Sequence, residues 1–322
     1  MSVQKPKVIP PLVLSDIAQI ASTLFSSEDT TANLDPNLSP IKQLSIFNMK
    51  AEMGIAKFQV IIGNAYYDGI HIEQNIELAE YWWEEAAEQG NTEAELNLMQ
   101  LYIRMNESPA RVIPYLKKLV TKGNPEAMFH YGLALTYGKG VKKNVRTGES
   151  WLSKAARLNH IDALVALSKI YSEIKQLRNH TKSHQYQKRA CDLGHKKSMY
   201  EYSYNKILNE KNITDISSKV YLEKLAADGH PEPLMLLAHL KVHSGNFVES
   251  VKHLHDAAML NYGPANWMLG RCYEDGWTVK RSPSKAHYYK NRSKILGFDG
   301  GFGKNPFTPN TLSTTVIGGG YA

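Results

Sequence analysis

The sequence predicts an all-α fold, a right-handed superhelical solenoid of about seven antiparallel helix pairs. A block of roughly 35 residues recurs seven times between Ile55 and Gly297, and each copy has the pattern of two helices. One such helix pair is too small to bury its apolar face alone, so neighbouring copies are expected to stack. At intervals of 33, 36, 35, 35, 32 and 36 residues, the copies end at Gly90, Gly123, Asn159, Gly194, Gly229, Asn261 and Gly297.

Small residues recur at one place in the first helix of the repeat, where they allow a neighbouring helix backbone to approach closely. Large residues stand three positions later on the same helix face and fill the groove that remains. The small residues are Gly63, Gly132, Ser168, Ser203, Ala238 and Gly270, and the large ones are Tyr66, Leu135, Tyr171 and Tyr273.

The second helix of the repeat carries a similar pattern near its end. A pair of small residues stands there, with a bulky residue about one turn earlier, and we expect both to lie in helix interfaces. The pairs are Ala86-Ala87, Ala155-Ala156, Ala226-Ala227 and Ala257-Ala258, and the bulky residues are Trp83, Leu152, Leu222 and Leu254.

The third repeat shows the helix boundaries most clearly. It predicts a first helix from about Pro125 to Thr136 and a second from about Val145 to Leu158. The Gly or Asn that closes each repeat is typical of a left-handed helix C-cap. Proline follows shortly in several repeats, where it ends one helix and starts the next, at Pro125, Pro231 and Pro264.

These residues resemble the Sel1-like repeats, a family related to the tetratricopeptide repeats. The family pattern is roughly A-x-x-x-L-G-x-x-Y-x-x-G-x-G-V followed by K-A-x-x-W-Y-x-K-A-A-x-x-G. The third repeat matches it best, over residues 127–141 and 151–159, and residues 63–69, 78–90, 269–276 and 285–290 match it in the first and seventh repeats. The second, fourth, fifth and sixth repeats lack the G-x-G-V loop. A plain tetratricopeptide array is the structural alternative and has the same fold class.

Three segments are expected along the chain. Residues 1–54 form an N-terminal segment with one helix over about Leu14–Phe25 and one from about Ser39-Pro40 to Met53. These helices are expected to cap the array, with a separate docking peptide as the alternative. Residues 55–297 form the repeat solenoid. Residues 298–322, rich in Gly, Pro, Thr and Asn, form a flexible tail, with docking on the solenoid or on a partner as the alternative.

Charge and cysteine content limit the class of partner and the cellular compartment that we expect. The net charge of +7 is uneven, because residues 55–123 carry 6 basic and 10 acidic side chains, residues 124–194 carry 12 and 5, and residues 195–297 carry 15 and 10. This charge asymmetry can orient a partner. The sequence lacks an arginine-rich or aromatic motif of the kind that binds nucleic acid. No apolar run reaches transmembrane length. With only Cys191 and Cys272, we expect a reducing, cytoplasmic protein, with mitochondria as the alternative.

Candidate chemistry is weak throughout the sequence, and we expect neither a catalytic residue nor a cofactor or metal. His239 and His243 stand on one helix face, but His253 and His255 diverge on the next helix, so a zinc site is disfavoured. Cys191 near His195 lacks an orienting acid, which favours a buried structural cysteine. The loop Gly138-x-Gly140 has no preceding strand and no G-K-[ST] sequence, so its glycines serve a turn rather than a phosphate.

Two surfaces are expected to bind a partner. The first, called here the inner row, lies on the concave side formed by the first helices: Asn64, Asn97, Gln100, His130, Lys169, Glu201, Tyr204, His239 and Arg271. The second, called here the basic edge, lies in the helix-connecting loops of the third and seventh repeats: Lys139, Lys142, Lys143, Arg146, Lys280, Arg281 and Lys285.

The resemblance implies a non-enzymatic scaffold or adaptor that binds proteins. An activator or assembly factor for a membrane enzyme complex, as in relatives that regulate chitin synthases or help assemble respiratory complexes, is the alternative. A beta-lactam hydrolase of the cysteine-rich branch is disfavoured, because the paired cysteines of that branch are absent from this sequence. The partner's identity and the oligomeric state stay open.

Overall fold

The computed structural model describes residues 39–300, and every regular element in that range is helical. It contains fifteen α-helices and one short π-helix. By its packing the chain divides into two compact units, with the boundary between Leu158 and Asn159. The predicted all-α fold of stacked helix pairs is therefore confirmed within each unit.

In the first unit each helix packs on the helices directly before and after it in the chain. α1 precedes the repeats, and the pairs α2–α3, α4–α5 and α6–α7 are the first three repeats. The helices are α1 Pro40–Glu52, α2 Ala56–Asp68, α3 Ile76–Glu88, α4 Thr92–Arg104, α5 Pro109–Thr121, α6 Pro125–Tyr137 and α7 Val145–Arg157.

The second unit contains the remaining four repeats, again with packing between consecutive helices. A π-helical turn, Asn205–Asn209, continues α10. The helices are α8 Ile161–Glu173, α9 His180–Asp192, α10 Lys196–Tyr204, α11 Ile216–Ala227, α12 Pro231–His243, α13 Phe247–Met259, α14 Gly263–Asp275 and α15 Pro283–Ile295.

Most repeats satisfy their own helix ends. At the start of α6 the Asn124 side chain accepts a hydrogen bond from the Ala127 amide at 2.8 Å, which is an N-cap. At the start of α8 the ring of His160 does the same for the Ala163 amide at 3.2 Å. Every closing residue has a positive φ, as predicted for the left-handed cap: Gly90 79°, Gly123 81°, Asn159 60°, Gly194 90°, Gly229 86°, Asn261 59° and Gly297 77°.

The predicted contact of small residues with bulky ones is confirmed in the first unit. A Cβ added to Gly132 would stand 2.7 Å from the Leu152 side chain and 3.0 Å from the Gly148 carbonyl oxygen. A Cβ on Gly63 would stand 2.5 Å from the indole of Trp83. The two helices of each of these pairs are thus in direct contact where glycine stands.

One predicted interface residue was wrong, and one feature was missed. Ala227 is exposed, whereas Leu225, four residues before the closing Gly229, is buried and takes the interface position. The second helices also carry a small residue early in their sequence, which lies against the small residue of the first helix. Ser183 donates its hydroxyl to the Ser168 carbonyl at 2.8 Å, so hydroxyls replace glycine in that repeat.

The ends of the chain fall partly outside the described range. The helix expected from about Ser39-Pro40 to Met53 is found as α1. The helix expected over Leu14–Phe25 and the chain after Gly300 lie outside the described residues. At the start of the predicted tail, Phe298 accepts a hydrogen bond from the Ser293 hydroxyl at 2.7 Å. Between residues 39 and 300, no helix is long and apolar enough to cross a membrane.

Candidate protein-binding surfaces

The inner row is best formed in the first unit, where two of its amides are joined. The Asn64 carbonyl oxygen accepts hydrogen bonds from the Trp83 indole at 3.0 Å and from the Asn97 amide at 2.9 Å. Both asparagines are half-buried, and they lie on the first helices of neighbouring repeats, α2 and α4. Gln100, one turn beyond Asn97 on α4, is exposed. We call Asn64, Asn97 and Gln100 the amide strip; its first two members are joined across two repeats.

His130 extends the polar character of the first-helix face to the third repeat. It lies half-buried on α6, with its Nε2 atom 3.0 Å from the Glu126 carboxylate one turn earlier. The imidazole is therefore held at the surface by a neighbour on its own helix.

In the second unit the inner-row residues have mixed environments. Lys169 is exposed on α8, and Glu201 and Tyr204 are half-buried on α10. Arg271 on α14 is half-buried, 3.4 Å from the Asp275 carboxylate and 5.9 Å from the centre of the Trp267 ring. Its charge is already partly neutralised within the helix.

His239 differs from the rest of the inner row because it is buried, with only 5% of its surface exposed. Among the described residues its Nδ1 atom has no hydrogen-bond partner, and its ring centre lies 4.5 Å from that of His243. Burial, followed by the neighbouring His243, lowers the pKa of His239 to about 4. A neutral, buried imidazole is not displayed to a partner, so we remove His239 from the inner row.

The basic edge is exposed at all seven of its residues. Four of them surround the loop in which Gly138 and Gly140 adopt φ values of 77° and 71°. A Cβ on Gly138 would stand 3.1 Å from the Lys143 side chain, so the tight turn places Lys143 directly against Gly138. The other three belong to the second unit, where the Lys285 ammonium lies 5.1 Å from the centre of the Tyr273 ring.

The described residues do not assemble the catalytic or metal groups that the sequence raised. Cys191 is fully buried, and burial raises the pKa of its thiol to about 12. The Nδ1 atom of His195 accepts a hydrogen bond from the Ser198 amide at 3.2 Å as a helix cap, so this nitrogen already has a hydrogen-bond partner. Within residues 39–300, no cluster of three or more His, Cys, Asp or Glu side chains could hold a metal ion.

One repeated cluster was missed from the sequence. Three repeats place a tyrosine eight residues before the closing glycine, a lysine or arginine four residues before that tyrosine, and a second tyrosine on the first helix. The two tyrosine rings pack with centres 5.7–5.9 Å apart, and the cation lies over the first-helix ring. The spacing of these residues was present in the sequence, but it did not indicate that their side chains pack together. The clusters are Tyr102–Tyr115–Arg111, Tyr171–Tyr186–Lys182 and Tyr273–Tyr289–Lys285.

The cluster around Tyr102 is also the most acidic. The Tyr102 hydroxyl lies 2.8 Å from a Glu80 carboxylate oxygen and 3.0 Å from one of Glu84, while Arg111 donates to the hydroxyl at 3.0 Å. Burial first, and the two carboxylates next, raise the pKa of Tyr102, which therefore stays protonated. An open cleft of about 270 Å³, walled by Tyr115 and neighbouring residues, lies beside it.

The family model for the Sel1 repeat matches residues 56–91, 125–160, 162–195 and 263–292. Among solved structures, c5321, a protective antigen of uropathogenic Escherichia coli with an SLR fold, is 25% identical with a TM-score of 0.64. The match covers 81% of this chain but only 57% of that protein. A Sel1 repeat protein from Oxalobacter formigenes is 19% identical with a TM-score of 0.60, over 92% of this chain and 94% of the other. The chain therefore contains Sel1 repeats.

Proposed function

We propose that this chain is a non-enzymatic scaffold that binds a protein partner through the first-helix faces of its repeats. The fold is typical of protein-interaction scaffolds. The observation that supports the binding face is the amide strip of Asn64, Asn97 and Gln100. Amide side chains both donate and accept, so they can pair with the backbone of an extended peptide.

The strip is also pre-organised, which favours binding. Asn64 is fixed by the Trp83 indole, and Asn97 is fixed by Asn64. Side chains that are already ordered lose little rotamer entropy when a partner arrives, a loss that costs about 0.5–1.5 kcal/mol for each mobile side chain. The exposed Gln100, whose amide makes no hydrogen bond within residues 39–300, then offers a further polar group at the edge of the strip.

The burial of Cys191 disfavours nucleophilic catalysis at that residue. The Cys191 thiol stays protonated at neutral pH, and a thiol is a much weaker nucleophile than a thiolate. The basic edge is a second contact surface in this proposal, and its exposed cations suit an acidic segment of the partner.

The test is site-specific photo-crosslinking with the full chain. A photoreactive amino acid replaces Gln100 or Lys169 on first helices, and in the matched control it replaces Ser150, which is exposed on the second helix α7. We expect one partner to be captured from both first-helix sites and not from Ser150. Equal capture from Ser150 would contradict the assigned face.

The captured partner then permits a quantitative experiment. We expect Asn97→Ala with Gln100→Ala to weaken its binding, and Lys219→Ala with Glu223→Ala, an exposed ion pair on α11, to leave it unchanged. Salt extraction of cell membranes distinguishes the scaffold from the alternative function, an activator of a membrane enzyme complex. Such an activator would co-sediment with membranes at low salt and be released at high salt.

A further inference from the structure

Two helices of the chain carry charges of a single and opposite sign. α3, Ile76–Glu88, contains five glutamates and no lysine or arginine. α15, Pro283–Ile295, contains four lysines and arginines and no aspartate or glutamate. Both have 13 residues, and both are second helices of repeats that match the family model.

The acidic charges of α3 form an exposed stripe. Glu77, Glu85 and Glu88 are exposed, and within residues 39–300 none of them has an ion-pair partner. Tyr81 is half-buried between them. Residues 77, 81, 85 and 88 are three or four positions apart, so they share one helix face.

The basic charges of α15 form a matching stripe with apolar residues in it. Lys285, Tyr288, Arg292 and Ile295 are also spaced by three or four positions, and all four are exposed. Tyr288 and Ile295 are exposed by 59% and 80%, which is high for large apolar side chains. Lys294 adds a further exposed cation beside this stripe.

We propose that the acidic stripe of α3 in one copy of this chain binds the basic stripe of α15 in a second copy. The charges are complementary along two helices of equal length, and the tyrosine and isoleucine side chains supply apolar contact. Because the two surfaces are different, each copy keeps one stripe free after the first contact, so the association is head to tail and can continue to further copies. This inference does not depend on the amide strip of the proposed scaffold function, although Lys285 also belongs to the basic edge.

Sedimentation velocity of the full chain tests the proposal. At a protein concentration of about 100 µM and about 50 mM NaCl we expect dimers and larger species, and at about 500 mM NaCl we expect monomer, because salt screens exposed charges. Glu77→Lys with Glu85→Lys and Glu88→Lys should be monomeric at low salt. Lys285→Glu with Arg292→Glu and Lys294→Glu should be monomeric as well.

Mixing the two reversed variants gives the decisive measurement. The first variant keeps a basic α15 and the second keeps an acidic α3, so the mixture should form a 1:1 complex although each alone is monomeric. Recovery of the complex also shows that both variants are folded. The matched control is Lys188→Glu with Lys224→Glu and Lys252→Glu, which makes the same charge change at exposed lysines outside both stripes and the basic edge and should still self-associate.

Three results would overturn the proposal. They are a wild-type chain that stays monomeric at low salt, a reversed mixture that forms no complex, and a control variant that loses self-association as completely as the α15 variant. The last result would show that net charge, rather than the two stripes, governs the assembly.

Discussion

A methyl group at Gly148 should disrupt the contact between α6 and α7. A Cβ built on Gly148 would stand 2.6 Å from the Gly132 carbonyl oxygen and 2.8 Å from the Thr136 amide nitrogen, and closer still to the Thr136 hydroxyl. Thr136 is fully buried, and its hydroxyl already donates to the Gly132 carbonyl at 2.8 Å. The new methyl therefore meets backbone atoms, which cannot rotate away.

The magnitude follows from two opposing effects of Gly148→Ala. Overpacking a tight interface costs about 1–3 kcal/mol, and contact with backbone atoms places this site at the upper end. Alanine is favoured over glycine inside a helix by about 1 kcal/mol. We therefore expect a net loss of about 2 kcal/mol in the free energy of opening of the α6–α7 pair, which is a factor of about 30 in its opening equilibrium.

Hydrogen exchange of the α6–α7 backbone amides measures this local opening directly. The matched control is Ser150→Ala, an exposed position on the same helix, which should change stability by less than about 0.5 kcal/mol. Protection of α6 and α7 in Gly148→Ala that equals or exceeds the wild-type protection would refute the backbone contact.

Three further predictions concern buried polar groups. The pKa of His239 is lowered to about 4 in the folded chain, against about 6.5 when unfolded, so the unfolded state binds more protons between these pH values. The free energy of unfolding should therefore fall by about 3 kcal/mol as pH drops from 6.5 to 4. Urea titrations should show that His239→Leu lacks this part of the pH dependence. Lys122→Met leaves the Glu95 carboxylate, 2% exposed, without the ammonium group that lies 2.7 Å away. It should lower the free energy of unfolding by about 2 kcal/mol, less than for a fully buried pair, because the lysine side chain is 35% exposed. Adding Glu95→Gln should restore part of the loss, and no recovery would argue against an unpaired charge as the cause. Cys191, with its pKa raised to about 12, should resist iodoacetamide at pH 8 and react only in urea, so rapid labelling of the native chain would contradict its burial.

The repeat register could be predicted from the sequence because its markers act locally. Asparagine tolerates the positive φ that Asn159 has at its helix cap better than most residues other than glycine. The close approach of Gly132 to Leu152 needs only a small side chain and a bulky one at fixed spacing. The helix bounds follow from the same local signals. Hence the third repeat was predicted to within a residue or two, with α6 ending at Tyr137 and α7 at Arg157.

Exposure was harder to predict because it depends on the neighbouring helices. The helix of His239, α12, has eight buried residues, so the position that is exposed at Lys169 in α8 is covered in α12. Ala227 was misplaced because Ala226-Ala227 lies one residue nearer the closing Gly229 than the corresponding pairs in other repeats. The tyrosine clusters depend on side-chain orientation between helices, to which helical periodicity is insensitive.

The self-contained helix ends have a consequence for how such a chain changes length. Each repeat ends with its own left-handed Gly or Asn, and in most repeats the next one begins with its own side-chain cap, as at Asn124 and His160. Where the following copy has such a cap, an in-frame duplication or deletion of one whole copy keeps both helix ends at the junction capped, and only one side-chain interface must be matched again. Copy number can thus drift among descendants of one ancestral gene much more freely than the sequence inside any single copy.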